Sequence, residues 1–188
     1  MGKDDSAMSQ IKEAKLLDAI GSDPSFEILE FLERISISED WAKLIVAQIY
    51  LDHIITETIK DQLLDSDAFL GKTSSRKNFH DKLSLCNALG FFTEHVGDAI
   101  RAVNSCRNKF AHQLVFEVSE ADKQKILDNL RNQRKASELD AANGFTNLLL
   151  SIVLTAEAER ALQKRKKKLD TQKGELMERL FELLSVNA

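Results

Sequence analysis

Residues 94–112, EHVGDAIRAVNSCRNKFAH, read as an amphipathic helix that runs into a concentrated polar motif. Val96, Ile100, Val103, Cys106 and Phe110, with Ala111 beside it, recur at intervals of three and four, which on a 3.6-residue helix makes one apolar stripe facing a core. The stripe passes through Arg107-Asn108-Lys109-Phe110-Ala111-His112, so the motif lies near the C-terminal end of that helix. Six residues there combine a guanidinium, an amide and an imidazole. Arginine presents a planar five-donor fork that matches phosphate oxygens, and histidine exchanges a proton near neutral pH, a pairing suited to phosphodiester cleavage.

The rest of the chain reads as scaffold for that helix. One proline, seven glycines, 43% apolar and 30% charged residues remove the punctuation of hairpins and sandwiches and favour long helices joined by short loops. With 188 residues, an all-α fold with a single buried core is expected, one domain over 1–188. The core bundle is placed at about 38–160 and a basic, amphipathic C-terminal helix at about 158–186.

Ahead of that core, Ile11, Leu16, Ala19 and Ile20 predict a short helix stopped by Gly21-Ser22-Asp23-Pro24, and Phe26, Ile28, Leu29, Phe31, Leu32 and Ile35 a second one packed on the body. Ser38-Glu39-Asp40 predicts the N-cap of a long helix running through Trp41, Leu44, Ile45, Ile49 and Ile55 to about Asp65. Asp65 to Asn78 is polar and reads as a loop, with Phe69 and Leu70 pinning its middle. From His80, Leu83, Leu85, Cys86, Ala88 and Leu89 make a helix closed by Gly90. Ser119-Glu120 opens another helix with Ile126, Leu127 and Leu130, and the last third is one long helical pattern. Its segment Leu148 to Leu154 is apolar nearly all round, which requires burial inside the monomer or between monomers.

Phe79 to Leu89, FHDKLSLCNAL, then GFF and the helix ending RNKFAH, resemble the mannitol operon repressor-like branch of the HEPN superfamily. The resemblance covers about Trp41 to Leu130. It implies a helical bundle, a homodimer and, in many members, a metal-independent endoribonuclease whose signature is Arg, a polar residue, then His; Arg107, Asn108 and His112 stand at those positions. It also implies the roles: His112 as general base or acid, Arg107 stabilising the charged phosphorane and Asn108 orienting phosphate or imidazole, with no cofactor and no metal. The same branch implies a second reading, a non-catalytic regulator that acts through a protein partner, in which the motif serves packing.

Helix geometry bears on the motif independently. Asn108 and His112 are about 40° apart on a helical wheel, whereas Arg107 is about 140° from His112. A complete site is therefore expected where two subunits place their motifs across a shared cleft. In a single subunit the arginine and histidine can equally serve the helix end, bonding its last carbonyls.

Charge limits the partners. A net charge of -4 argues against a surface that coats RNA indiscriminately and leaves room only for a local basic cleft. Residues 158–188 carry +3 against -7 elsewhere, owing to Lys164-Arg165-Lys166-Lys167-Lys168. That run reads as a solvated face, since no aromatics interleave to stack on bases, with contact to RNA or an acidic partner as the other reading. Leu148, Leu162, Leu169, Leu176 and Leu183 stand on a seven-residue grid with Thr155 at the missing step, but the facing positions include Glu159, Lys166 and Lys173, which makes half a coiled coil; Met177, Leu180, Phe181 and Leu184 make the last turns apolar, so this end is expected to pack on a second subunit or fold back on the bundle.

Asp52, His53 and Glu57 form an i, i+4 cluster able to share a cation but lacking a third ligand of the usual kind, and His80 and His95 sit in ordinary helix-start settings. Cys86 and Cys106, both in apolar patterns, fit buried thiols of a reducing cytoplasm. Met1-Gly2 with Ser6 meets a loose myristoylation pattern, which the adjacent Asp4 and Asp5 oppose at an anionic surface. The polar start and the lack of a long apolar run predict neither a signal peptide nor a membrane span.

Overall fold

The computed structural model describes residues 23–36, 39–71, 77–110, 117–131 and 144–186. Regular structure among them is helical throughout: α1 Ile28–Ser36, α2 Asp40–Gln62, α3 Ser66–Leu70, α4 Phe79–Ala88, α5 Glu94–Phe110, α6 Glu120–Arg131 and α7 Gly144–Val186. The expected helix at residues 11–20, the myristoylation-like start, Ser38, Ala111 and His112 lie outside the described residues.

Local chemistry sets most of the helix ends. Glu39 occupies the N-cap of α2 with extended backbone, and its carboxylate accepts a bond from Trp41 Nε1 at 2.9 Å rather than capping an amide. At the other end α2 stops at Gln62, short of the expected Asp65, because Leu63 turns extended and Asp65 caps a new helix, accepting from Ala68 N at 3.0 Å. Part of the expected loop is therefore the short α3, with Phe69 and Leu70 packed on the core as predicted. Asn78 caps α4 by accepting from Asp81 N at 2.9 Å. That helix closes at Gly90, whose φ of 67° lets Phe91 N donate to Cys86 O at 2.9 Å and Gly90 N to Asn87 O at 3.1 Å.

A bundle forms around α2, whose Leu44, Ala47, Leu51, Ile54, Ile55 and Ile59 are all fully buried. Burying each leucine or isoleucine contributes about 1.5–3 kcal/mol, so this stripe is the main apolar drive of the fold. It packs most extensively on α7 and also on α1, α4 and α5. Lys123 from α6 ties the start of α2 to the start of α7, through Asp40 and the Phe145 ring, while Asp61 ties the end of α2 to Arg160. Helices α2 and α7 thus run in the same direction. Thr93, just before α5, bonds Glu159, so α5 runs back along α7 toward its Gly144 end. Gly97 brings α5 close to α4: the Asn87 amide oxygen lies 2.5 Å from where a Cβ would stand.

The apolar segment of α7 is buried within the monomer, with Leu148, Leu149, Ile152, Val153 and Leu154 in the core. Ala161 is the last buried residue of α7. Lys164 and Lys167 still reach Asp23 and the end of α2, and beyond Lys167 every described side chain is exposed.

Candidate functional site

Arg107 and Asn108 occupy the last turn of α5, at the end of the bundle where α5 finishes and α2, α6 and α7 begin. Arg107 is half-buried and Asn108 exposed. Arg107 Nη1 donates to Asn108 Oδ1 at 3.2 Å, and among the described residues the guanidinium forms no ion pair. Other cations of α5 and α6 differ. Lys109 is paired with Asp122, Arg101 with Asp98, and Lys123 with Asp40 at 2.9 Å and Glu120 at 2.8 Å.

The turn that carries the motif is latched to α6. Ser119 Oγ accepts from Asp122 N at 3.2 Å and donates to the Asp122 carboxylate at 2.8 Å, fixing that acid on the first turn of α6. Asp122 in turn accepts from Lys109. The Lys109 bond holds the Asp122 carboxyl below its ordinary range, and the same bond raises Lys109. The side chain that follows the Arg107-Asn108 pair is thus spent on structure.

A shallow groove lined by Asp98, Arg101, Ala102 and Ser105 of α5 and by Lys125 of α6 runs along α5. At 100° per residue Asn108 is about 20° from Arg101, so it continues the line of that groove toward the helix end. Arg107 is about 120° from Arg101 and about 160° from Ser105, so its guanidinium and the groove lie on different faces of α5. Of the three residues singled out from sequence, Arg107 and Asn108 are brought together; His112 lies outside the described residues.

No family model, curated protein or solved structure matches this chain.

The remaining candidates are dispersed. Asp52 bonds the buried Lys82 at 2.5 Å, His53 Nε2 lies 2.7 Å from the Ser25 carbonyl, and Glu57 pairs with Lys60 at 2.7 Å, so the i, i+4 cluster does not converge. Among the described residues no group of three or more His, Cys, Asp or Glu is placed to hold a metal. Burial pushes the Cys86 thiol up to about 12 and the Cys106 thiol up to about 11, which makes both poor nucleophiles at neutral pH. Of the basic run, Lys164 pairs with Asp23 at 2.7 Å and Lys167 donates to the carbonyls of Asp61 and Gln62, capping the end of α2; Arg165, Lys166 and Lys168 are exposed. No helix among the described residues is long and apolar enough to cross a membrane.

Sequence reasoning missed a buried polar cluster at the opposite end of the bundle. Glu157 is fully buried and accepts from Ser25 N at 2.7 Å, Ser25 Oγ at 2.8 Å and Arg160 at 2.8 Å. Arg160, also buried, reaches Asp61 at 2.5 Å and the Asp23 carbonyl at 2.9 Å. The i, i+3 spacing of Glu157 and Arg160 is legible, but their partners are about a hundred residues or more away and leave no periodic trace.

Proposed function

We propose that this chain is a cytoplasmic, metal-independent endoribonuclease of the HEPN type, acting in regulation, toxicity or defence. The observation that carries the reading is the Arg107 guanidinium, which has an amide at its side and no carboxylate partner among the described residues, whereas Lys109, Arg101 and Lys123 of the same two helices are ion-paired. A guanidinium without a carboxylate partner among the described residues suits a phosphate. His112, four residues beyond Asn108, supplies the proton transfers.

In the proposed reaction a base removes the RNA 2′-hydroxyl proton and O2′ forms a bond to the adjacent phosphorus. The P–O5′ bond breaks and the leaving oxygen takes a proton. His112 performs one of these transfers, Arg107 stabilises the extra negative charge of the phosphorane, and Asn108 orients the phosphate. The products are a 2′,3′-cyclic phosphate and a 5′-hydroxyl, and DNA, lacking the nucleophile, is left intact.

The test is incubation of wild type, Arg107→Ala and His112→Ala with mixed cellular RNA in chelator, with mapping of product ends. Wild type should leave cyclic-phosphate ends. Arg107→Ala should be about 100- to 1000-fold slower, and His112→Ala about 100-fold slower or more, each with the cooperative unfolding of the parent. Equal cleavage by all three, or cleavage abolished by chelator, overturns the reading. The second reading, a non-catalytic regulator acting on a protein partner, is favoured by a separate observation: the exposed apolar side chains at the end of α7.

A further inference from the structure

Beyond Ala161, the last buried residue of α7, Leu162, Leu169, Leu176, Met177, Leu180 and Leu184 are each between 46% and 69% accessible. At 100° per residue these six fall within an arc of about 100° centred close to Leu162. Lys164 and Lys167, which bond Asp23 and the end of α2, stand about 160° and 140° from Leu162. The arc is therefore turned away from the side that α2 occupies, and a flat surface can lie along it. We propose that this face of α7 docks on an anionic lipid layer, with the helix parallel to the surface. The inference is independent of the ribonuclease reading and assigns to lipid the face on which the regulator reading rests.

The placement of charge around the helix selects lipid as the occupant. Lys166 and Lys173 lie inside the apolar arc and Arg165 about 20° outside it, all exposed and without a carboxylate partner among the described residues. Glu175, Glu178 and Glu182 stand about 140–160° from Leu162, on the far side of the helix, and Asp170, at about 80°, is the acid nearest the arc. A partner helix laid on the leucines would have to bury two ammonium groups in its seam, which is destabilising unless each is met by an acid. An anionic headgroup layer meets the same ammonium groups at the water boundary, where lysine stems lie along apolar surface and the charged ends stay hydrated. The order along the chain suits the same occupant. Arg165, Lys166 and Lys173 precede the apolar turns at 176–184, so the first half of the segment is held by charge and the second by insertion of side chains to the acyl boundary.

Docking of this kind leaves the motif in water. Arg107 lies at the Gly144 end of the bundle, whereas the lipid-facing segment begins at the other end, after Ala161. RNA cleavage and lipid binding are thus separable by variants of α7.

Co-sedimentation of the full chain with vesicles tests the proposal. Wild type should bind vesicles of mixed phosphatidylcholine and phosphatidylserine and should not bind vesicles of phosphatidylcholine alone. Lys166→Gln/Lys173→Gln should weaken that binding about 30-fold, or about fivefold for each cation removed from an anionic surface. Leu176→Glu/Leu180→Glu should abolish it, and Glu175→Gln/Glu178→Gln, on the far side, should retain it, each with bundle unfolding unchanged. The emission of Leu180→Trp should shift to the blue on addition of the mixed vesicles, which reports insertion. Absence of binding, equal binding to both kinds of vesicle, or binding that survives the leucine variant overturns the proposal. So does a wild-type chain that sediments at twice 21.2 kDa and falls to the monomer mass in the leucine variant, because a second copy would then cover the face. Cleavage of RNA by the leucine variant at the wild-type rate would leave the ribonuclease reading standing whatever the vesicles show.

Discussion

Arg107 and Cys106 are neighbours in sequence with opposite fates, and the difference is burial. Cys106 lies on the apolar stripe of α5, 3% accessible, while Arg107, one residue and 100° further round, reaches the surface beside Asn108. Burial leaves the thiols inert: with Cys86 pushed to about 12 and Cys106 to about 11, neither is ionised at pH 8. Both should resist alkylation there until the chain unfolds, as mass spectrometry of iodoacetamide-treated protein would show. The sign of the stability effect follows. These acids have folded pKa values above the unfolded value, so the unfolded chain releases protons first and stability falls from about pH 9 upward, reaching its full loss near pH 12. Thermal unfolding from pH 8 to 11 should show that decline, and a Cys86→Ala/Cys106→Ala variant should show less of it.

Between elements, the latch from α5 to α6 positions the motif turn. Lys109 and Asp122 are brought together by the capped start of α6, where Ser119 fixes the acid. Asp122 has a depressed folded pKa, so its contribution is fully present above the unfolded carboxylate value of 3.8 and is lost as pH falls through the lower folded value. Lys109, raised by the same bond, keeps its share below its unfolded value of 10.5 and loses it above. The latch should hold from about pH 4 to 10 and open in stronger acid. Hydrogen exchange is the direct measurement: Asp122→Asn should speed exchange of amides in the last turn of α5 and the first turn of α6 at pH 7, leaving α2 protection unchanged. Equal exchange in the variant would mean that the turn is held by something else.

Across the whole molecule, the Glu157–Arg160 cluster joins the segment before α1 to the end of α2 and to α7 just before that helix leaves the bundle. Removing one member of a buried charge pair leaves the other uncompensated, so Glu157→Ala should cost about 3 kcal/mol in urea unfolding, the low end for such sites because Asp61 remains on Arg160. A loss below 1 kcal/mol would show that water reaches the cluster. The motif lies at the other end of the bundle, and cleavage by the folded fraction of this variant should match wild type.

Periodicity by itself determined the all-α class, most of the apolar faces of α1, α2, α4, α5 and α7, the cap at Gly90 and the start of α6, because each depends on residues within a turn or two of one another; Leu29, Ile49 and Leu89, read onto those faces, are exposed instead. The Arg107-Asn108 pair was legible for the same reason, being adjacent on one helix end. Only the tertiary structure decided which acids pair with which cations: nothing in the sequence ties Lys109, Lys123 and Lys164 to Asp122, Asp40 and Asp23. It likewise separated Asp52, His53 and Glu57 into three different contacts, and ended the burial of α7 at Ala161 although the leucine grid runs on unbroken. Local spacing specifies a helix and its faces. What meets each face depends on partners tens of residues away, and short-range patterns do not encode them.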